Sequence, residues 1–176
     1  MSSKYLINGG NASNANIYYW NTHRVTVDTD PVTVYYKIGD GGNMTQRCHL
    51  PVQGSFKVSG TYLRHSVEDE ILFKITIVLD TGAVLTHFEI LSEFVDKWAA
   101  FGFTMHIPQG STASSIEFDI SYSGSSVGKI STIAAVAAYS DVIKTCTFEE
   151  FLAKCITYGL DADKPDLTQI YEEVEE

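Results

Sequence analysis

Residues 72–79 read Leu72-Phe73-Lys74-Ile75-Thr76-Ile77-Val78-Leu79, and the stretch runs into Asp80-Thr81-Gly82. Bulky apolar side chains fall at every second position, the period of a β-strand with one buried face. Asp80 can bond its own following backbone and Gly82 tolerates left-handed φ, so the run closes in a tight turn. Working outward, the same alternation recurs. Phe56-Lys57-Val58-Ser59-Gly60-Thr61-Tyr62-Leu63-Arg64 lies upstream, across the charged segment Glu68-Asp69-Glu70, which reads as a solvated loop. Downstream, Phe101, Phe103, Met105 and Ile107 share one face of a run, with Gly102, Thr104 and His106 on the other and Pro108-Gln109-Gly110 as its stop. Ile116, Phe118, Ile120 and Tyr122 repeat the pattern.

Nearer the N-terminus, Val25-Thr26-Val27-Asp28 and Val32-Thr33-Val34-Tyr35-Tyr36-Lys37-Ile38 read as neighbouring strands on either side of Asp30-Pro31. Gly39-Asp40-Gly41-Gly42-Asn43 is dense in residues that accept positive φ and predicts an exposed turn or loop. Successive short segments of period two, with no long helical pattern between them, predict an all-β antiparallel sandwich or barrel and disfavour parallel βαβ winding.

The chain changes character near its end. Thr147-Phe148-Glu149-Glu150 has the spacing of a capping box, Phe148, Phe151, Leu152, Cys155 and Ile156 recur at helical spacing, and Gly159 is placed to end the helix. An acidic tail follows from Asp161 to Glu176. The expected division is residues 1–144 as the sandwich and residues 145–176 as an amphipathic helix with its tail. That helix packs on the sandwich or docks on a neighbouring subunit, which makes Phe148, Phe151, Leu152 and Ile156 the candidate assembly residues.

Composition bounds the function. In 176 residues, 44% hydrophobic and 19% charged, there is enough apolar material for one core, and the 12% aromatic share favours strands. A formal charge of -10 repels phosphates, and the 12 Lys and Arg residues are scattered, so nucleic acid is not an expected partner. No apolar stretch approaches the ~18 residues of a membrane span, and the N-terminus lacks a secretory signature; the expectation is a soluble chain made in the cytoplasm with no membrane insertion. Cys48, Cys146 and Cys155 form neither a CxxC pair nor an even set, which predicts thiols rather than a disulfide framework or zinc site.

Several stretches carry a resemblance. Lys4-Tyr5-Leu6-Ile7-Asn8-Gly9-Gly10 is similar to the "NLLINGGF" opening of many bacteriophage tail-fibre and appendage domains. Phe56 to Tyr62 followed by Ile75 to Asp80 resembles a strand pair of such modules, and Trp98 through Pro108-Gln109-Gly110 to Ile120 resembles their "W…F…(I/V)P.G….I.I.I" segment. The similar stretches spread from Lys4 to about Val142. The sequence departs after Gly10, where Asn11-Ala12-Ser13-Asn14-Ala15-Asn16 replaces an aromatic-rich continuation and Trp20 arrives late, and after Gly128, where the usual aspartate is missing. The resemblance implies a carbohydrate-binding-module-like, galactose-binding-like jelly-roll β-sandwich in a phage virion protein, a tail, fibre, head-appendage or capsid decoration component. It implies assembly in the host cytoplasm, and other virion proteins, further copies of itself or a cell-surface glycan as partners. A free-standing, lectin-like sugar-binding module is the alternative.

Motifs for catalysis are missing: there is no GxSxG, no HExxH, no phosphate loop and no dinucleotide fingerprint, so the expectation is a protein that is not an enzyme, and a small glycosidase is disfavoured. No cofactor is expected. The five histidines, His23, His49, His65, His87 and His106, are isolated from one another and read as surface or strand-face residues. Asp28, Asp30, Asp40 and Asp80 sit beside turns, where they bond local backbone or supply oxygen ligands to a structural calcium ion. The resemblance places Trp98 at the start of a core strand, which implies a core residue. Tyr18-Tyr19-Trp20 cannot all point inward from a strand, and with Asn21 and Arg24 beside them they form the candidate ligand surface: aromatic faces for sugar rings, and amide and guanidinium groups for hydroxyls.

Overall fold

The computed structural model of the chain describes residues 3–138, and beyond them residues 149, 152, 153 and 156. Among the described residues nine strands are formed: β1 (Ser3–Tyr5), β2 (Asn21–Thr29), β3 (Val34–Cys48), β4 (Ser55–Leu63), β5 (Glu70–Leu79), β6 (Val84–Leu91), β7 (Ala99–His106), β8 (Ala113–Ser123) and β9 (Val127–Ala138). A short 3-10 helix, Asn16–Tyr19, precedes β2. Every strand pairing is antiparallel, in the order β6-β5-β8-β3-β9-β4-β7, with β1 beside β9 and β2 beside β3.

The continuous path folds into two layers because β3 changes partner along its length. Tyr36–Gly39 pairs with β9, and Asn43–Cys48 pairs with β8. The glycine-rich segment is thus a bend within a strand and not the exposed loop its composition predicts. Gly41 takes φ +72, and a Cβ at Gly42 would stand 2.7 Å from the His23 carbonyl oxygen, so β2 and β3 can turn together only without side chains there. The turn β5–β6 is the expected one, with the Leu79 amide donating to Ala83 O at 2.8 Å.

Alternation places the core between the layers. Ile71, Phe73, Ile75 and Ile77 of β5, Ile116, Phe118 and Ile120 of β8, and Phe56 and Val58 of β4 are all buried. The layers meet through rings: Phe56 lies 6.2 Å from Phe118, and Phe73 lies 6.0 Å from Phe101 and 5.9 Å from Phe103. Edge-on aromatic contacts of this kind add to the burial of their area.

Two expectations are corrected. Asp69 is not a solvated loop residue: it is 2% exposed, its Oδ2 accepts the His65 amide at 3.2 Å, and the Tyr122 hydroxyl lies against it. Trp98 is not a core residue: it is half-buried, its ring lies tilted against Tyr35 at 5.8 Å, and it donates to Asp30 Oδ2 at 3.0 Å. The C-terminal helix is not shown as an element: Phe148 and Phe151 lie outside the described residues, and Leu152 and Ile156, at helical positions, are 38% and 83% exposed. The acidic tail lies outside the described residues. Among the described residues no helix is long and apolar enough to cross a membrane.

Candidate functional site

The outward face of the layer β6-β5-β8-β3-β2 is assembled by register. Residues directly opposite each other across antiparallel strands share a face, so the pairs Phe88↔Lys74, Lys74↔Asp119, Asp119↔Thr45 and Thr45↔Asn21 make one row across five strands. At an interstrand spacing of about 4.8 Å that row is about 19 Å long. Ile90, Leu72, Ser121, Asn43 and His23 form the row on one side of it, and Thr86, Thr76, Glu117 and Arg47 the row on the other.

Asp119 sits at the centre. Its neighbours along β8, Phe118 and Ile120, point into the core, so Asp119 must point out, yet it is half-buried by the rows around it. Burial, and then the nearby Glu117 carboxylate, push its carboxyl above the usual range, while Lys74 and a hydrogen bond from Asn43 pull it back. Glu117 is itself held by Arg47, Nη2 to Oε2, at 2.7 Å. The Lys74 ammonium lies 5.8 Å from the centre of the Phe88 ring, which is 55% exposed at the outer end of the row. Two cations and two anions on one flat face leave it electrically balanced, with fixed donors and acceptors and an aromatic ring at one edge.

Of the predicted ligand surface, one residue reaches this face: Asn21 ends the central row. Tyr18 and Tyr19 are 88% and 58% exposed in the 3-10 helix that leads into it. Trp20 is corrected: it is 5% exposed, belongs to the core and donates Nε1–H to the Gly9 carbonyl at 3.0 Å. Arg24 is exposed with φ +54 at the β2 irregularity, and its Nη1 donates to the Asp40 carbonyl at 2.8 Å. Lys74, Asp119, Glu117, Arg47 and Phe88 were not singled out by sequence. The signal for two of them was present, since Glu117 and Asp119 alternate with Ile116, Phe118 and Ile120 and so must leave the core together.

Of the turn aspartates Asp30 bonds its own following backbone, while Asp40 and Asp80 bond backbone far away in sequence. Asp30 Oδ1 accepts the Val32 and Thr33 amides at 2.8 Å each, Asp28 pairs with Lys37 at 3.6 Å, Asp40 accepts the Gly124 amide at 3.1 Å, and Asp80 the Thr112 amide at 3.3 Å. Among the described residues no three His, Cys, Asp or Glu side chains gather to hold a metal ion.

The family 16 carbohydrate binding module-2 superposes with a TM-score of 0.57 at 14% identity, covering 75% of this chain and 99% of that one. The fold is similar to the jelly roll of carbohydrate-binding modules. The xylan-binding domain CBM22-1 of Paenibacillus barcinonensis Xyn10C gives 0.51 at 10% identity, over 76% of this chain and 94% of that one. The enzymatically active domain of bacteriophage CBA120 tailspike protein 4 gives 0.57 at 15% identity, over 74% of this chain but 21% of that one. No family model and no curated protein matches the sequence. In this jelly roll the bend of β3 is what brings Thr45 and Asp119 side by side on one layer.

Proposed function

We propose that the chain is a carbohydrate-binding domain that lays an extended glycan across the outward face of β6-β5-β8-β3-β2, and that it works without catalysis as a tail, fibre, appendage or decoration component of a phage virion. The observation that carries the reading is the central row, Phe88-Lys74-Asp119-Thr45-Asn21. A sugar chain presents hydroxyls in a flat array and weakly apolar C–H faces between them. A sheet face answers both, because its side chains stand on a fixed lattice and need little ordering on binding. Half-burial of Asp119 beside Lys74 strengthens each hydrogen bond made there relative to open solvent. Phe88 supplies the stacking surface.

The fold shared with two carbohydrate-binding modules supports the sugar-binding part. The virion part draws on the likeness to a tailspike domain and on the opening Lys4 to Gly10. Coverage of nearly all of the family 16 module favours a second reading, a free-standing lectin-like module. Isothermal titration against xylan, mannan, galactan, β-glucan and bacterial surface polysaccharide tests the binding. Saturable binding to one of them that Asp119→Ala and Lys74→Ala abolish supports the reading, and no binding to any overturns it. Mass spectrometry of purified particles, searching for this chain, separates the virion component from the free module.

A further inference from the structure

β6 and β7 are the last strands of the two layers, and neither has a partner on its outer edge among the described residues. Between them lies a cleft of about 300 Å³ lined by Tyr62, Glu89, Ile90, Glu93, Phe101 and Phe103. That is the small end of ligand pockets, which run from about 300 to 1,000 Å³, and suits one or two sugar rings rather than a chain. Ile90 belongs to both places: it ends an outward row beside Leu72 and also lines the cleft. The glycan face therefore runs around the β6 edge into the cleft without a break.

The wall of the cleft is held from behind. Arg64 is 6% exposed, and its guanidinium donates to four carbonyls, those of Ser92, Phe94, Val67 and Asp69, the last three at 3.0, 3.1 and 3.2 Å. The Asp96 amide returns a bond to the Arg64 carbonyl at 2.8 Å. The Glu93 amide donates to the Tyr62 hydroxyl at 2.8 Å, which leaves the exposed Glu93 carboxylate at the rim. Glu89 is bonded to His87 at 2.9 Å, and the His87 ring lies 5.4 Å from Phe103. A pocket whose wall is already fixed loses little entropy on filling. Phe101 and Phe103 offer an apolar floor for a ring's C–H face, and the two carboxylates accept hydroxyls. Among the described residues no Lys or Arg lines the cleft, so a ring carrying its own carboxylate is repelled.

Resting on the glycan-binding reading above, we infer that this cleft is an end subsite, which takes one terminal, carboxylate-free sugar ring of the glycan lying on the outward face. The domain then recognises chain ends, not only chain interiors. The test is amide chemical-shift mapping on the full chain with gluco-, xylo-, manno- and galacto-oligosaccharides of one to six residues. A binding hexamer is expected to shift the amides of Lys74, Asp119 and Thr45 together with those of Ala100 to Phe103, and the matching monosaccharide to shift the second group alone. Glu93→Gln and Glu89→Gln, with spectra otherwise unchanged, are expected to weaken hexamer binding by about tenfold, one charge-assisted hydrogen bond. Shifts confined to the outward face, or full affinity in both variants, overturn the end subsite and leave the glycan reading standing. No shift with any oligosaccharide overturns both.

Discussion

Trp20 and Tyr36 donate to the same oxygen. The indole Nε1–H and the phenolic hydroxyl reach the Gly9 carbonyl at 3.0 and 2.7 Å, with the rings edge-on at 6.4 Å. The two residues come from either side of the β2–β3 hairpin, and the oxygen they share belongs to the N-terminal segment, so the pair fastens that segment to the sandwich. Burial pushes the Tyr36 hydroxyl up to about 12, which keeps it a donor at any ordinary pH.

Removing either donor should therefore cost stability and not ligand binding. Tyr36→Phe is expected to lose about 1 kcal/mol, the net worth of one buried hydrogen bond. Trp20→Ala, which also opens a cavity, is expected to lose about 3–5 kcal/mol. Urea titration measures both, and glycan affinity per folded molecule should stay at the wild-type value.

Gly10 should tolerate no side chain. A Cβ built there falls 1.9 Å from the Ile133 carbonyl oxygen, which is backbone of the central strand β9 and cannot swing aside. The Ile133 amide also donates to the Gly10 carbonyl at 3.0 Å, so the two segments cannot part without losing a buried bond. Gly10→Ala is expected to destabilise by about 3 kcal/mol, seen as a lower urea midpoint with an unchanged slope.

Arg64 should matter for order before it matters for charge. Arg64→Met keeps the length and apolar stem but strands four carbonyls, each of which loses its donor. The expected loss is about 2–4 kcal/mol. The local sign is faster proteolytic cutting within residues 92–96, measured by limited digestion; equal cutting in both proteins would show that the arginine does not fix that segment.

Asp119 should trade stability for binding. Its folded carboxyl is held above the unfolded value by burial and by Glu117, so folding favours the protonated form. The contribution of this group is fully present below the unfolded value of 3.8 and is lost as pH rises through the folded one. Asp119→Asn removes that titration, so it is expected to be more stable than wild type at pH 7, with the advantage shrinking as pH falls through the folded value and gone below 3.8. Denaturant titrations at several pH values check the sign, and the same variant should bind glycan less well.

Much of this was legible in the chain. Period two fixed the strands around Phe56–Tyr62, 72–79, Phe101–Met105 and Ile116–Tyr122, the faces they bury and the turn at Asp80-Thr81-Gly82, because a pleated strand sends alternate side chains to opposite sides wherever it lies. The same reading failed where a residue's fate depended on a distant partner. Trp20 became a core residue because Gly9 offered its indole an acceptor, Asp69 was buried because the His65 amide and Tyr122 met it, and the glycines 39, 41 and 42 bent a strand and did not end it.

The assembly of the candidate site belongs to that second class. Phe88, Lys74, Asp119, Thr45 and Asn21 lie far apart in sequence and meet only because β8 inserts between β5 and β3. Alternation tells each strand which side chains face out, but any strand can satisfy another's backbone hydrogen bonds. Which strands become neighbours, and hence which outward side chains share a face, is decided by how the whole core closes.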